Sequence, residues 1–300
     1  MNDTDKCRLC LNEQPLLKSH IIPSFVFKWA KETGGTDFFR SGKSPNRRVQ
    51  DGLKSRLLCA KCENRFSRWE KWFSENVFVP STVTNYPAGR YGIEYSRFAA
   101  SLVWRAGQHF LEHGTDIEIS PEDKRDLQSA VGTWRSFILG EKDHPERFEL
   151  HVVPVADLRK IQDLRAPDNW NRYCLRHIEM DLAYAESGGF LSVVVKLGPV
   201  SIVGHVRNNL QKWKGSRIAT REGFFNPKKI VWPPTLLDYF FWRARNNQQI
   251  VASLSSKQVD LTKQSILKNL DRVAESGMFK AMLEDADRFG LDAVIQKEDP

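Results

Sequence analysis

Apolar side chains recur along this chain with two different periods, and the changes of period mark its elements. Leu16 to Ile22 reads as a short extended run that stops at Pro23. Ser24 to Lys31 then allows one or two helical turns, with Phe25 and Trp29 four apart on one face, and Gly34-Gly35 ends them. Residues 34–52 are rich in Gly, Ser, Asn, Arg and Lys and read as a loop. Leu53 to Leu58 is a short strand. From Cys59 the period becomes helical. Cys62, Phe66, Trp69, Phe73 and Val77 recur at spacings of four, three, four and four, which is one stripe on a 3.6-residue turn. Such a stripe faces a core, and Pro80 closes the segment.

Residues 81–92 carry Pro87, Gly89 and Gly92 and read as a linker. Tyr95, Phe98, Leu102, Ala106 and Phe110 mark an amphipathic helix. A second starts at Ser120-Pro121, with Ser as N-cap and Pro at the first helical position. Its apolar face is Leu127, Val131, Trp134 and Ile138. Strand patterns follow at Phe148–Val155, Ile178–Glu186, Phe190–Leu197 and Val200–Val206. Ser187-Gly188-Gly189 and Gly198-Pro199 separate the last three, so an antiparallel meander is expected. After Pro233-Pro234 the chain reads as helix over Thr235–Asn246, over Ser256–Glu275, and once more to Arg288. The predicted class is α+β: a small module over residues 1–80, then a mixed body of helices and meander over residues 93–300.

Cysteine placement changes this picture most. Cys7/Cys10 and Cys59/Cys62 form two Cys-x-x-Cys pairs, one in a tight turn over residues 5–12 and one where the second strand enters the helix. Four thiolates at that spacing suit one tetrahedral, structural zinc ion. Cys174, in apolar surroundings, is expected as a core filler. Four paired cysteines and one spare do not make the disulfide framework of a small secreted domain. The opening Met-Asn-Asp-Thr-Asp-Lys is not the apolar stretch of a signal peptide, and no run approaches the roughly 18 apolar residues of a membrane helix. A reduced, soluble, cytoplasmic protein is expected.

Charge adds a direction. The net charge is +8, and residues 1–80 hold fifteen Lys/Arg against nine Asp/Glu. The basic surplus therefore lies mainly on the cysteine-bearing segment. It suits a polyanion such as nucleic acid, or simply a well-solvated surface.

Ser19-His20-Ile21-Ile22-Pro23 between the cysteine pairs, and Leu58-Cys59-Ala60-Lys61-Cys62-Glu63-Asn64 at the second pair, resemble the HNH endonuclease family in its four-cysteine zinc variant. The resemblance covers residues 5–78. It extends to a broad set of bacterial HNH-like proteins with no established activity. It implies a ββα-metal or treble-clef unit, with His20 ending the first strand beside a catalytic divalent cation. Three positions depart from the family's pattern. Ser19 stands where Asp or His is usual, Glu63 stands where the helix usually offers His or Asn, and Asn46 lies farther from the second cysteine pair than the family's middle Asn.

The implied activity is metal-dependent hydrolysis of DNA phosphodiesters, with RNA as a further substrate and host defence as a role by analogy. A histidine neutral near pH 7 takes a proton from water, and a Mg²⁺ or Mn²⁺ ion neutralises charge on the phosphate. His20 is then the general base, and Glu63 with Asn64 or Asn46 places the cation. Glu70 and Ser67 share the helix face of Glu63, and Asp51 lies with Asn46 in the preceding loop. Arg47 and Arg48 are candidate phosphate contacts. The plain alternatives stay open: a packed His20, Glu63 as an ordinary acid at a helix N-terminus, Glu70 as a salt-bridge partner, and a solvated Arg47-Arg48 loop. His109 and His113, four apart, could bind metal but have no acidic partner in register. His144, His151, His177 and His205 carry no signal. Arg97, Arg105 and Arg135 could form a binding surface. Two rival functions follow: a non-catalytic zinc platform that binds nucleic acid or protein, and a zinc-stapled sensor whose body holds a small ligand.

Overall fold

The computed structural model describes residues 4–83, 86–115, 118–185, 188–208 and 212–294. In chain order the elements are β1 (Thr4–Lys6), β2 (Glu13–His20), α1 (Ser24–Glu32), β3 (Phe39–Ser41), β4 (Ser44–Val49), β5 (Lys54–Cys59) and α2 (Ala60–Phe73). A π-helical turn (Ser74–Phe78), α3 (Val79–Val83), β6 (Gly89–Tyr91), α4 (Ile93–His113) and α5 (Pro121–Leu139) follow. Then come β7 (Leu150–Val153), α6 (Val155–Leu158), α7 (Trp170–Arg176), β8 (Ile178–Tyr184), β9 (Phe190–Leu197), β10 (Val200–Asn208) and β11 (Gly223–Phe225). The chain ends in α8 (Pro234–Ala252), α9 (Ser256–Leu267), α10 (Leu270–Glu275) and α11 (Gly277–Phe289). The class is mixed α and β with antiparallel sheets, as the periodicity predicts.

Two compact units share the chain. The first is built from residues 1–23, 53–154 and 178–233, the second from 24–52, 155–177 and 234–300. Each therefore draws on both the 1–80 segment and the 93–300 body.

In the first unit, β1-β2-β5 form a small antiparallel sheet and β7-β10-β9-β8 a larger one. The expected meander β8-β9-β10 is there, and β7 adds to its free edge at β10. The end of the strand expected at Glu186, and Ser187 of the turn, lie outside the described residues. Helix α4 is the centre of this unit. The stripe on α2 meets it: Phe73 stacks on Phe98 at 3.9 Å between ring centres, and Phe66 sits edge-on to Trp104. Phe66, Phe73 and Phe98 are wholly buried, worth about 1.5–3 kcal/mol apiece. Ser120 caps α5 by accepting from the Asp123 N–H, as its sequence predicts. Two glycines let helices approach closely. A Cβ on Gly107 of α4 would lie 2.7 Å from Val131 of α5, and one on Gly204 of β10 would lie 2.7 Å from the Trp134 ring.

Pro80 does not end the stripe helix. The chain widens into the π turn just before it, and Val79 N–H then bonds the Ser74 carbonyl. That spreads the turn whose α-helical geometry a proline ring would clash with, and helix resumes to Val83. The stretch read as a linker also contains β6, which pairs with the distant β11. Its residues 84 and 85 lie outside the described residues.

In the second unit, the stretch read as a loop holds the β3–β4 hairpin. The Arg40 guanidinium donates to Pro45 O, Gln258 and Thr262, which ties that hairpin to α9. Asp285, wholly buried, accepts from the Asn171 and Arg172 N–H groups and from the Arg172 side chain. The helix expected over Ser256–Glu275 breaks at Lys268-Asn269. Cys174 is buried here, as expected of a core filler.

Candidate metal centre

The hairpin between β1 and β2 is a tight knuckle. Cys7 N–H donates to Asn12 O, and Leu11 N–H returns to Cys7 O with Leu11 in the left-handed region (φ 62°). Arg8 N–H bonds Leu57 O, which fixes the knuckle against β5. Arg135 from α5 donates to Leu9 O at 2.6 Å, and Arg8 pairs with Glu112 of α4 at 2.7 Å. On the other side, Cys59 ends β5 and Cys62 lies in the first turn of α2.

This brings the sulfurs of Cys7, Cys10, Cys59 and Cys62 within 4.8 Å of one another. Cys10 and Cys59 are 3.9 Å apart, far beyond a disulfide bond, and none of the five cysteines is in one. Among the described residues this is the one cluster of three or more His, Cys, Asp or Glu groups able to hold a metal ion. Its electrostatics suit a cation. Burial pushes the Cys7 thiol up, but N–H groups of Cys10, Cys59 and Leu9 outweigh it and bring Cys7 down to about 7. Burial pushes Cys10 and Cys62 up, and for Cys62 the neighbouring Cys7 adds to the rise. Several thiolates so close together repel unless a positive ion lies among them. Soft sulfur donors in a four-membered set select zinc among common divalent ions. The four residues thus could hold zinc.

Next to this centre, β2 pairs with β5 so that Ser19 faces Ser55 and His20 faces Lys54. Ser19 is buried, and its hydroxyl donates to Glu63 Oε2 at 2.6 Å. The two positions where the resemblance expects cation ligands are therefore in contact. His20 is half-buried at the strand end. Its carbonyl accepts from Arg105 Nη1 at 2.9 Å, and the same Nη1 pairs with Glu70 Oε1 at 2.7 Å. Ile21 N–H bonds Leu53 O, which carries the β2–β5 pairing one step beyond His20.

The remaining candidates divide. Asn64 and Ser67 are exposed on α2, and Ser67 donates to the Glu63 carbonyl. Glu70 is a salt-bridge partner, but of a buried arginine rather than of solvent-facing ones. Asn46, Arg47, Arg48 and Asp51 belong to the second unit. There Asn46 accepts from Ser255 N–H, Arg48 lies 3.9 Å over the Phe38 ring, and Arg47 is exposed. Arg97, Arg105 and Arg135 turn to protein partners: Arg97 stacks on Phe137, and the other two bond the carbonyls of His20 and Leu9. His109 and His113 stack on each other at 4.4 Å. Arg105 is the residue that sequence reasoning misplaced. A charge at a core-facing helical position was its available signal.

The chain matches no family model, no curated protein and no solved structure. No helix of the described residues is long and apolar enough to cross a membrane.

Proposed function

We propose that residues 5–78 form an HNH-like, treble-clef nuclease module that hydrolyses DNA phosphodiesters in the reducing cytoplasm, where thiolate ligands persist. Cys7, Cys10, Cys59 and Cys62 hold structural zinc. The observation that carries the proposal is the Ser19–Glu63 hydrogen bond beside the cysteine cluster, on the strand that ends at His20. It orients a carboxylate at the helix start, one residue along β2 from the histidine.

In this reading His20 takes the proton of the attacking water. Glu63, with the neighbouring Asn64, supplies the hard oxygen ligands that Mg²⁺ or Mn²⁺ prefers. Such a cation, when bound, neutralises charge on the phosphate and leaving oxygen. Ser19 holds Glu63, and Arg105 holds the His20 backbone to α2 and α4. The proposed chemistry uses residues of the first unit alone.

The experiment is plasmid cleavage by the full chain with Mg²⁺ or Mn²⁺. Wild type should nick DNA, and His20→Ala and Glu63→Gln, with zinc content and circular dichroism unchanged, should lose about a hundredfold or more. Cleavage by His20→Ala at the wild-type rate, or none by wild type with either metal, would overturn the proposal. Salt-dependent DNA binding without cleavage would instead support the non-catalytic platform.

A further inference from the structure

Helix α2 carries opposite charge on two flanks. Its buried stripe runs through Cys62, Phe66 and Phe73. Glu63 and Glu70 lie to one side of that stripe. Lys61, Arg65, Arg68 and Trp72 lie to the other, at steps of four, three and four. The two carboxylates are already engaged, Glu63 by the Ser19 hydroxyl and Glu70 by Arg105. Neither is left to neutralise the opposite flank. Lys61 and Arg68 are exposed and Arg65 is half-buried, and none of the three is in an ion pair among the described residues. Like charges at those steps repel one another, so the row works against the helix unless an anion lies along it.

The positive row continues onto α4. Arg97 lies 4.1 Å over the Phe137 ring. Burial first, and then the nearby charge of Arg65, pull the Arg97 guanidinium below its ordinary range, while Asp143 opposes them. Asp143 also pairs with Arg221 at 3.6 Å. It is therefore shared between two arginines and leaves Arg65 unmatched. Trp72, half-buried, has its ring centre 6.1 Å from that of Tyr95. The apolar stripe of α2 is itself closed against α4. The flank thus offers cations, with no apolar face for a lipid surface and no free ring on which bases could stack.

We propose that the Lys61–Arg65–Arg68 flank of α2, extended by Arg97, is the surface that holds the sugar-phosphate backbone of duplex DNA. Lys61 and Arg68 are about 10 Å apart along the helix axis at 1.5 Å per residue. A strand of duplex presents one phosphate per about 3.4 Å of its axis, so the row faces about three phosphates. Contacts of this kind position a duplex without reading its sequence. Arg47 and Arg48, the phosphate contacts expected from sequence, belong to the other unit. The inference rests on the nuclease reading for the identity of the polyanion.

The test is fluorescence anisotropy of a short labelled duplex of arbitrary sequence, titrated with the full chain at several salt concentrations and with no added Mg²⁺ or Mn²⁺. Affinity of the wild type should fall steeply with salt. Arg65→Gln with Arg68→Gln should weaken binding about tenfold or more and lower the salt slope by about two, and Lys61→Gln alone should lower it by about one. Lys28→Gln with Lys257→Gln removes the same charge from exposed positions of the second unit and should leave the slope unchanged. One strand of the duplex alone should bind no tighter. Zinc content and circular dichroism check that each variant is folded; if the double arginine variant is not, Lys61→Gln decides. No binding by wild type, an unchanged slope in the α2 variants, an equal loss in the second-unit variant, tighter binding of the single strand, or binding to phosphatidylserine vesicles and not to the duplex would overturn the proposal. Because binding is read without the cleavage metal, normal binding with no cleavage would sink the nuclease reading alone. Cleavage by wild type with unchanged binding in the α2 variants would sink this surface alone.

Discussion

Arg105, 1% exposed in the middle of α4, donates through Nη1 to the backbone carbonyl of His20. The same guanidinium pairs with Glu70, 19% exposed, so one side chain joins the end of β2, helix α2 and the central helix. Arg105→Ala should therefore destabilise the first unit by about 3–5 kcal/mol, because it removes the buried partner of Glu70 and one hydrogen bond to the His20 carbonyl. Glu70→Gln should cost less, since the amide still accepts a hydrogen bond. Urea titrations of each variant measure this. A double variant, Arg105→Met with Glu70→Leu, should recover much of the loss by removing both charges. If the double variant is as weak as Arg105→Ala, the carbonyl bond rather than the ion pair dominates.

Metal should decide whether the knuckle folds. The cysteine sulfurs come from a turn near the N-terminus and from the β5–α2 junction, which backbone bonds alone join at few points. Purified wild type should contain one zinc per chain by elemental analysis, and Cys59→Ser should contain little. Chelation should release zinc and lower the unfolding midpoint, since structural zinc contributes on the order of 10 kcal/mol in small modules. Protection from hydrogen exchange should fall first around residues 5–20 and 54–66. Normal stability without zinc would remove the metal centre.

Close packing of α5 on the sheet gives a third expectation. Gly204→Ala places a methyl group 2.7 Å from the Trp134 ring, which is itself held by its indole N–H to Phe148 O. Neither group moves without cost, so the variant should lose about 1–3 kcal/mol by overpacking. Gly132→Ala is the control: its Cβ meets nothing within 4 Å and lies in a helix, so it should be neutral or slightly stabilising. Thermal melts of the two variants check the contrast.

How much of this was legible in the sequence follows from the range of each interaction. The Cys62–Val77 stripe, the Ser120-Pro121 cap and the glycine-separated strands are local signals, and each appears as an element. Cysteine chemistry survives long separations because thiols are few, so the set of four clustered cysteines could be read from spacing alone. Partners far apart in sequence were invisible. Tyr91 and Gly223 pair across two short strands with no periodic pattern. The β3–β4 hairpin hid in a stretch whose arginines suggested solvent, although Arg40 and Arg48 are cross-strand neighbours flanking Phe38. Arg105 read as surface because charge usually does, and its carboxylate partner lies on another helix. His151 and His205 carried no local pattern at all. Only the β7–β10 pairing brings their rings together.

That pairing also sets a pH dependence. Burial first, then neighbouring charge, holds His205 well below the ordinary histidine value, and burial lowers His151 although Glu149 opposes it. In the unfolded chain both rings titrate near about pH 6.5. Below that pH the unfolded state binds protons that the folded state refuses, so stability must fall with pH. Above it both states are neutral and the contribution is fully present. The urea midpoint should therefore decline from about pH 7.5 to about pH 5.5 in wild type. His205→Gln, which cannot titrate and can still bond Ser192, should flatten part of that slope. Zinc content measured at each pH separates this from acid release of the metal, which also destabilises. An unchanged slope in the variant, with zinc retained, would show that His205 takes up protons in the folded protein as it does in the unfolded chain.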